Sequence, residues 1–455
     1  MKLRRVYKPS WLLSFLPVLL LLCFMAKPLR AEEPTAKESI AEELETKEAE
    51  PSETRVYTGG WEEFTERLLL IADFDVFYTL SDRHGSNTIG GGGINGLLAP
   101  TYRLNDKNFI ILMYDGQYYK KREMYSDEVG YKERTEFQAH TITPMLRMDF
   151  GERSRYSVTP CFFYTTTYNI DNESSSWSDG LYNYRDRGAG LDFDMRELFG
   201  EDGTLKLGAQ YYKRRYSNYA SLLSLTGLDT AAGINTERHE KDYYGVIARA
   251  GYNWIRPLGF SWQAEYSLLY KMLDDKKVVG SDGVLTSEEQ EDYLHSLDLK
   301  FWHVLDVEGG LKLGLDLNGS LNNSNQNYYD GMGTWPNLKD DVPTSDFYDY
   351  DSYRITPNVS YAFALFPLTT SLSYAYQKAE YDHRRAKYSN GAHKTDKHWE
   401  TQEEINLGFR YDLFEDWSLF AQWQWIDMKS NNDDERVYKY DYTVNNYSAG
   451  VSYRY

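Results

Sequence analysis

From about residue 70 onward the chain is built of segments in which apolar and polar side chains alternate one by one, and this constrains the fold more than any other feature. In LKLGLDLNGSL (311–321), Leu311, Leu313, Leu315, Leu317 and Leu321 share one side, while Lys312, Gly314, Asp316, Asn318 and Ser320 share the other. A period of two is the signature of a β-strand with two unlike faces. The same pattern recurs in Leu70/Ala72/Phe74/Val76/Tyr78/Leu80, Tyr156/Val158/Pro160/Phe162/Tyr164 and Leu205/Leu207/Ala209/Tyr211. It continues through Tyr244 to Trp254, Phe260 to Tyr270, Tyr353 to Phe363, Leu368 to Tyr376, Ile405 to Tyr411 and Trp417 to Trp425. Each run is about ten residues long, the length a tilted strand needs to cross a bilayer.

The connections between runs alternate in length. Short turns fall near 105–107, 150–154, 198–203, 255–259, 306–310, 365–367 and 414–416. Long polar loops fall near 81–93, 121–133, 171–181, 213–241, 274–291, 323–350, 379–400 and 429–441. Seven turns and eight loops make sixteen strands, with fourteen to eighteen as the bracket. An even count with tight turns at one end and long loops at the other predicts an all-β, transmembrane, antiparallel up-and-down β-barrel. A soluble β-sandwich also alternates but leaves the turn and loop pattern unexplained. Closure removes the sheet edges and satisfies every backbone amide within lipid. The mean hydropathy of −0.64 is no objection, since only every second strand residue meets hydrocarbon. The 41 Tyr, 11 Trp and 20 Phe suit membrane–water interfaces, where a ring is buried and its polar atom stays wet. A net charge of −19 argues against a nucleic-acid partner.

The first 31 residues read as a signal peptide. Lys2, Arg4, Arg5 and Lys8 precede the apolar WLLSFLPVLLLLCFMA, and Ala31 offers a small residue for cleavage. Residues 32–64 form an acidic segment poor in large apolar side chains, expected to be a disordered periplasmic stretch, with WEEFTERLLL as an amphipathic lead-in. The barrel is placed at 65–455. Past the leader only Cys161 remains, which excludes an internal disulfide and a cysteine-based zinc site.

Some stretches read less cleanly. In 134–149 the apolar side shifts from Phe137/Ala139 to Ile142/Pro144/Leu146/Met148, which predicts a bulge. The glycines of 90–93 hide where the strand of 89–104 begins. Prolines at 100, 144, 160 and 357 point to a repeated hairpin design with bulges near the rim.

The last segment, VNNYSAGVSYRY, carries Tyr447, Ala449, Val451, Tyr453 and Tyr455 on one side and small or polar residues on the other. Together with the leader and the alternating segments, it resembles the Gram-negative outer-membrane β-barrel proteins of the porin-like kind. That resemblance implies location in the outer membrane, contact with its lipid and lipopolysaccharide, and recognition of the final strand by the barrel assembly machinery. In that family the terminal residue is more often Phe, so Tyr455 is a variant of the pattern. The resemblance covers residues 65–455 in pattern only and allows a homo-oligomer.

If the apolar sides meet lipid, the alternate positions line the lumen. The charged candidates are Arg155, Asp192, Asp194, Arg249, Glu265, Asp298, Lys300, Lys312, Asp316, Arg354, Arg410 and Asp412, with Lys206 and Asn358 beside them. Sixteen strands are wide enough for a water-filled passage, and lumen charges of both signs suit hydrated solutes. The expected function is a channel for passive diffusion of small hydrophilic solutes. The alternatives are the barrel of a surface export or assembly system for polysaccharide or surface protein, or a structural outer-membrane protein. No enzyme activity, cofactor or metal is expected. The segment RHGSNT places His84, Ser86 and Asn87 like the His-x-Ser-Asn core of the outer-membrane phospholipases, but Thr88 stands where that family has Gly. The acidic loop 322–351, with six Asp and one Lys, would suit a fold-in constriction, cation attraction or divalent binding, and reads most simply as a solvated loop. SDGVLTSEE matches only the later half of a calcium loop, because Val278 and Gly280 would occupy its first ligand positions.

Overall fold

The computed structural model of the protein describes residues 67–83, 88–125, 134–170, 176–200, 202–219, 240–330, 342–434 and 441–455. The leader, the acidic segment up to residue 64 and His84, Ser86 and Asn87 lie outside them. The strands are β1 Leu68–Arg83, β2 Thr88–Asn105, β3 Asn108–Tyr125, β4 Arg134–Phe150, β5 Tyr156–Ile170, β6 Tyr184–Arg196, β7 Gly203–Tyr216, β8 Tyr243–Trp254 and β9 Gly259–Val279. They continue as β10 Leu285–Leu305, β11 Leu311–Ser324, β12 Tyr328–Asp330, β13 Val342–Thr344, β14 Tyr350–Ala362, β15 Leu368–Lys387, β16 His393–Asp412, β17 Trp417–Ser430 and β18 Tyr442–Arg454. β12 and β13 pair only with each other. The other sixteen form one closed antiparallel barrel, each strand bonded to its neighbours in the chain and β18 bonded back to β1.

Register carries the sequence alternation around the whole wall. Val76 opposes Val451 on one side and Ile94 on the other, and Tyr78 opposes Ala449. Phe162 opposes Ala189, Leu191 opposes Ala209, and Tyr211 opposes Val246. These apolar side chains stand in the open; Val76, Phe162, Leu191 and Tyr211 are 53%, 67%, 51% and 52% exposed. A water-soluble wall would not repeat this on every strand, so this parity is the outer, lipid-facing one. Below it, next to the short turns, runs an aromatic girdle. Phe150 stacks on Tyr156 at 5.5 Å, Tyr252 meets Trp262 at 5.2 Å, and Trp417 meets Tyr453 at 4.9 Å. Rings with wet polar atoms belong at that interface.

The seven short turns fall where the sequence places them, but several long loops are shorter than expected. β9 and β10 run to Val279 and from Leu285, so 274–291 is largely an extended hairpin. β15 and β16 do the same across 379–400, and β1 and β2 across 81–93. At 21 residues β9 and β10 reach roughly 70 Å, more than twice the hydrocarbon core. Register shifts lie high in two of these hairpins, between Leu285 and Glu291 and between Glu380 and Lys387, and at both ends of β2 against β3, at Thr88/Ile89 and Arg103/Asn105.

No bulge exists within 134–149: β3 and β4 pair without a slip from Asn108/Met148 to Arg122/Arg134. Phe137 and Ala139 sit on the inner parity, and Phe137 is apolar there because it stacks on Tyr119 at 4.9 Å. The prolines make no bulges either. Register is the same on both sides of Pro100 and Pro357, and all four prolines take outward positions. In β2 the glycines make room for rings. A Cβ on Gly93 would lie 2.5 Å from Cζ of Phe77, and one on Gly96 2.8 Å from Phe74.

The base of the connection between β11 and β14 is tied to the β9–β10 hairpin. Gln326, 2% exposed, accepts from Val279 N at 3.0 Å and donates to Lys277 O at 3.1 Å. Asn327 donates to Val279 O at 2.7 Å. Part of the acidic loop is therefore anchored, and 331–341 lies outside the described residues.

Candidate channel lumen

Even positions of β6, β7, β10, β11, β14 and β16 to β18, and odd positions of β1, β8, β9 and β15, form the inner parity. Of the charged candidates, Asp298, Lys300, Asp316 and Arg354 come together around a cavity of about 220 Å³ in the wall formed by β10, β11 and β14. Lys300 stands opposite Asp316, and Asp298 accepts from Asn318 Nδ2 at 2.6 Å. Glu265 stands opposite Asp298, so two carboxylates share that row.

Arg354 extends across β15. Its Nη2 donates to Glu404 Oε2 at 2.8 Å and its Nη1 to Gln377 at 3.4 Å. Glu404 is only 7% exposed and accepts further from Asn406 at 2.7 Å and Gln424 at 2.8 Å. Gln424 accepts from Asn446 at 2.8 Å, and Asn446 accepts from Ser81 at 2.7 Å. One hydrogen-bonded chain thus runs along the inner wall from β14 to β1. Charge-assisted bonds at its head and amides along its length hold side chains that would otherwise sweep the lumen.

The remaining candidates are spread over the wall. Asp192 on β6 and Arg249 on β8 face each other at 3.8 Å across Gly208 of β7, whose missing side chain leaves the line open. Replacing Gly208 by leucine should part this pair and lower single-channel conductance while the barrel still folds; recordings at one salt concentration check it. Asp194 opposes Lys206 and accepts from Ser157 at 3.3 Å. The Lys312 ammonium lies 5.0 Å from the Trp302 ring, and Asn358 lies near Asp316 at 3.5 Å. Arg410 and Asp412 pair with each other at 3.1 Å near the turn end. Arg155 lies in the turn ahead of β5, its guanidinium 5.8 Å from the Tyr156 ring, so it belongs to the rim and not to the wall. Tyr447, Ala449, Val451 and Tyr453 occupy outward positions of β18, and Tyr455 follows just beyond it, exchanging backbone bonds with Ala72 at 2.8 and 3.0 Å.

Two parts of the lumen were not among the candidates. Glu404 sits on the polar parity one residue before Ile405, and carrying the alternation one step further back would have found it. The turn end of β1 to β4 is apolar on its inner side as well. Leu69 and Ile71, 59% and 54% exposed, stand there with Leu97, Ile111, Met113 and Met145. The signals were the unbroken runs LLLIA at 68–72 and FIILM at 109–113, apolar on both parities.

At the loop end of β5 to β9 the inner wall closes into a small core. Tyr212, Tyr243 and Leu273 are buried together with Phe163 against them. Beside them Arg214 grips Asp186 with Nε at 2.8 Å and Nη2 at 2.7 Å, and its guanidinium lies 3.9 Å from the Tyr184 ring. Above the barrel, burial pushes the Asp349 carboxyl up, against the pull of the Ser324 N–H that donates to it at 2.6 Å. Among the described residues no cluster of three or more His, Cys, Asp or Glu is arranged to hold a metal ion.

A closed sixteen-stranded wall with an apolar outer face, an aromatic girdle and a polar lumen defines a transmembrane β-barrel of the outer-membrane type. No protein family and no curated protein sequence matches the chain. Among solved structures it is similar to a loop L8 deletion form of OmpT, an outer membrane protein of Vibrio cholerae, at 11% identity, 86% of this chain, 100% of that one and a TM-score of 0.44. It is also similar to OccK3 (OpdO) of Pseudomonas aeruginosa, at 12% identity, 87% and 98% coverage and a TM-score of 0.41. CdiB from Acinetobacter baumannii aligns at 12% identity, 84% and 60% coverage and a TM-score of 0.44.

Proposed function

We propose that the protein is a porin-like channel through which small hydrophilic solutes diffuse passively across the outer membrane. The observation that carries this reading is the hydrogen-bonded inner wall from Arg354 to Ser81, which leaves charged and amide groups of both signs along a barrel wide enough for water. Such a wall offers hydrated solutes replacement hydrogen bonds without a deep binding site. Glu265, Asp298 and Arg354 lie along one row of the wall and Lys300 faces Asp316 in the next, so charges of both signs adjoin there.

The test is conductance of the purified full-length protein in planar bilayers. Steady, ohmic steps that scale with bulk salt are the expected result, and a barrel that inserts but stays silent overturns the reading.

A further inference from the structure

The outer wall carries a block of charge that the channel does not use. On β6 the residues flanking Asp186 point outward as Arg185 and Arg187, and on β7 those flanking Arg214 point outward as Lys213 and Arg215. Register sets Arg185 directly opposite Arg215, and Arg187 directly opposite Lys213. Like charges placed across a strand pair repel, so two such pairs side by side raise the free energy of the empty wall. The four line one cavity of about 290 Å³, together with Tyr216, Ser217 and Asp242. Asp274 takes Lys213 at 2.7 Å, and Asp242 is turned to the Tyr216 backbone N–H at 2.7 Å. Among the described residues Arg185, Arg187 and Arg215 form no ion pair with a carboxylate, so the block keeps a positive excess. Two of its members are held in place: Lys213 lies 4.0 Å from the Tyr244 ring centroid and Arg187 5.6 Å from that of Tyr164.

Its height on the barrel indicates the ligand. Going up the outer face of β7, Leu205, Leu207, Ala209 and Tyr211 come before Lys213 and Arg215; on β6, Phe193, Leu191 and Ala189 come before Arg187 and Arg185. From Leu205, opposite the girdle ring of Tyr252, to Lys213 the outer face of β7 covers about 26 Å of strand, which places the cations at the upper end of the apolar band. They sit at the end that bears the long connections 171–183 and 217–242, opposite Tyr455. Just beneath, Ala189 leaves the wall low between Phe162 and Tyr211, and one row further down Ala209 and Ala248 do the same between Leu191 and Leu268, space against which an acyl chain can lie.

From this juxtaposition we infer that Arg185, Arg187, Lys213 and Arg215 form a binding site for the phosphates of an anionic, multiply acylated lipid of the outer leaflet. Guanidinium forks grip phosphate oxygens bidentately, and the ammonium adds a point charge. The site is independent of what crosses the lumen.

The full-length protein in nanodiscs of zwitterionic phospholipid is titrated with bis-phosphorylated lipid A, with its monophosphorylated form and with inorganic phosphate. The parent should bind lipid A, more weakly as salt rises, and the monophosphorylated form should bind several-fold more weakly. The double variant R187Q/R215Q, shown folded by its heat-modifiable gel shift, should lose at least tenfold in lipid A affinity; R103Q, at the turn end of β2, should not. Equal lipid A affinity in parent and R187Q/R215Q overturns the proposal. Inorganic phosphate binding as tightly as lipid A also overturns it, since the site would then recognise the free ion.

Discussion

Replacing Glu404 by alanine is expected to destabilise the barrel by roughly 2–4 kcal/mol and to move its ion preference toward anions. Glu404 is the acceptor on which Arg354, Asn406 and Gln424 converge, and it is almost wholly shielded from water. Without it a half-buried guanidinium faces the lumen unpaired, and two amides lose the oxygen that orients them. The stability effect is read from the thermal or denaturant midpoint in detergent. The charge effect appears as a shift in reversal potential across a salt gradient. Glu404→Gln separates the two, because it keeps the shape and one acceptor oxygen for Asn406 and Gln424 while removing the charge and the oxygen that accepts from Arg354: it should shift the reversal potential with a smaller loss of stability. A variant with both quantities unchanged would show that the chain from β14 to β1 does not organise the wall.

The second large effect is expected at Arg214. Arg214→Leu strands Asp186, which is 6% exposed, and should cost about 3–5 kcal/mol; Asp186→Leu strands the guanidinium at similar cost. The double substitution leaves no charge behind, so it should cost clearly less than the sum, with a coupling of about 1–3 kcal/mol. The Tyr184 and Tyr243 rings beside the guanidinium remain to pack against the new leucines. Strictly additive losses would mean that the pair is not the unit that holds this end of β6 to β7.

The strand number and the lipid-facing side were legible because hydrocarbon imposes one rule on every strand at the same height. Above the bilayer that rule lapses. DDKKVV in β9 and SEEQED in β10 are polar or mixed on both sides, so they read as loop although the hairpin continues through them. The misread at Phe137 and Ala139 has the opposite cause: apolar side chains on the inner face, where Phe137 meets Tyr119, imitate a change of parity. Which charges face the lumen could be read by counting, but which of them meet could not. Arg354 reaches Glu404 over an intervening strand, and Arg249 reaches Asp192 over Gly208. Such contacts depend on strand tilt and on a missing Cβ, neither of which a linear pattern displays. The paired cations of β6 and β7 were similarly hidden, since YRDRG and KRRY look like loop edges until register stacks them.

The barrel's seam also has a kinetic consequence. Every wall strand but one pairing is made with the next wall strand in the chain, so most of the sheet can grow hairpin by hairpin with short excursions of chain. The exception joins β1 to β18, where Ser81 meets Asn446 across 365 residues and Thr79 meets Ser448 across 369. The entropic penalty for bringing such distant segments together falls on a single event, which therefore comes last. Until it happens, the polar chain along the inner wall ends at Asn446 without its Ser81 donor. A folding intermediate trapped before closure should thus present two open sheet edges, β1 and β18, and those edges are where a second chain would add wrongly.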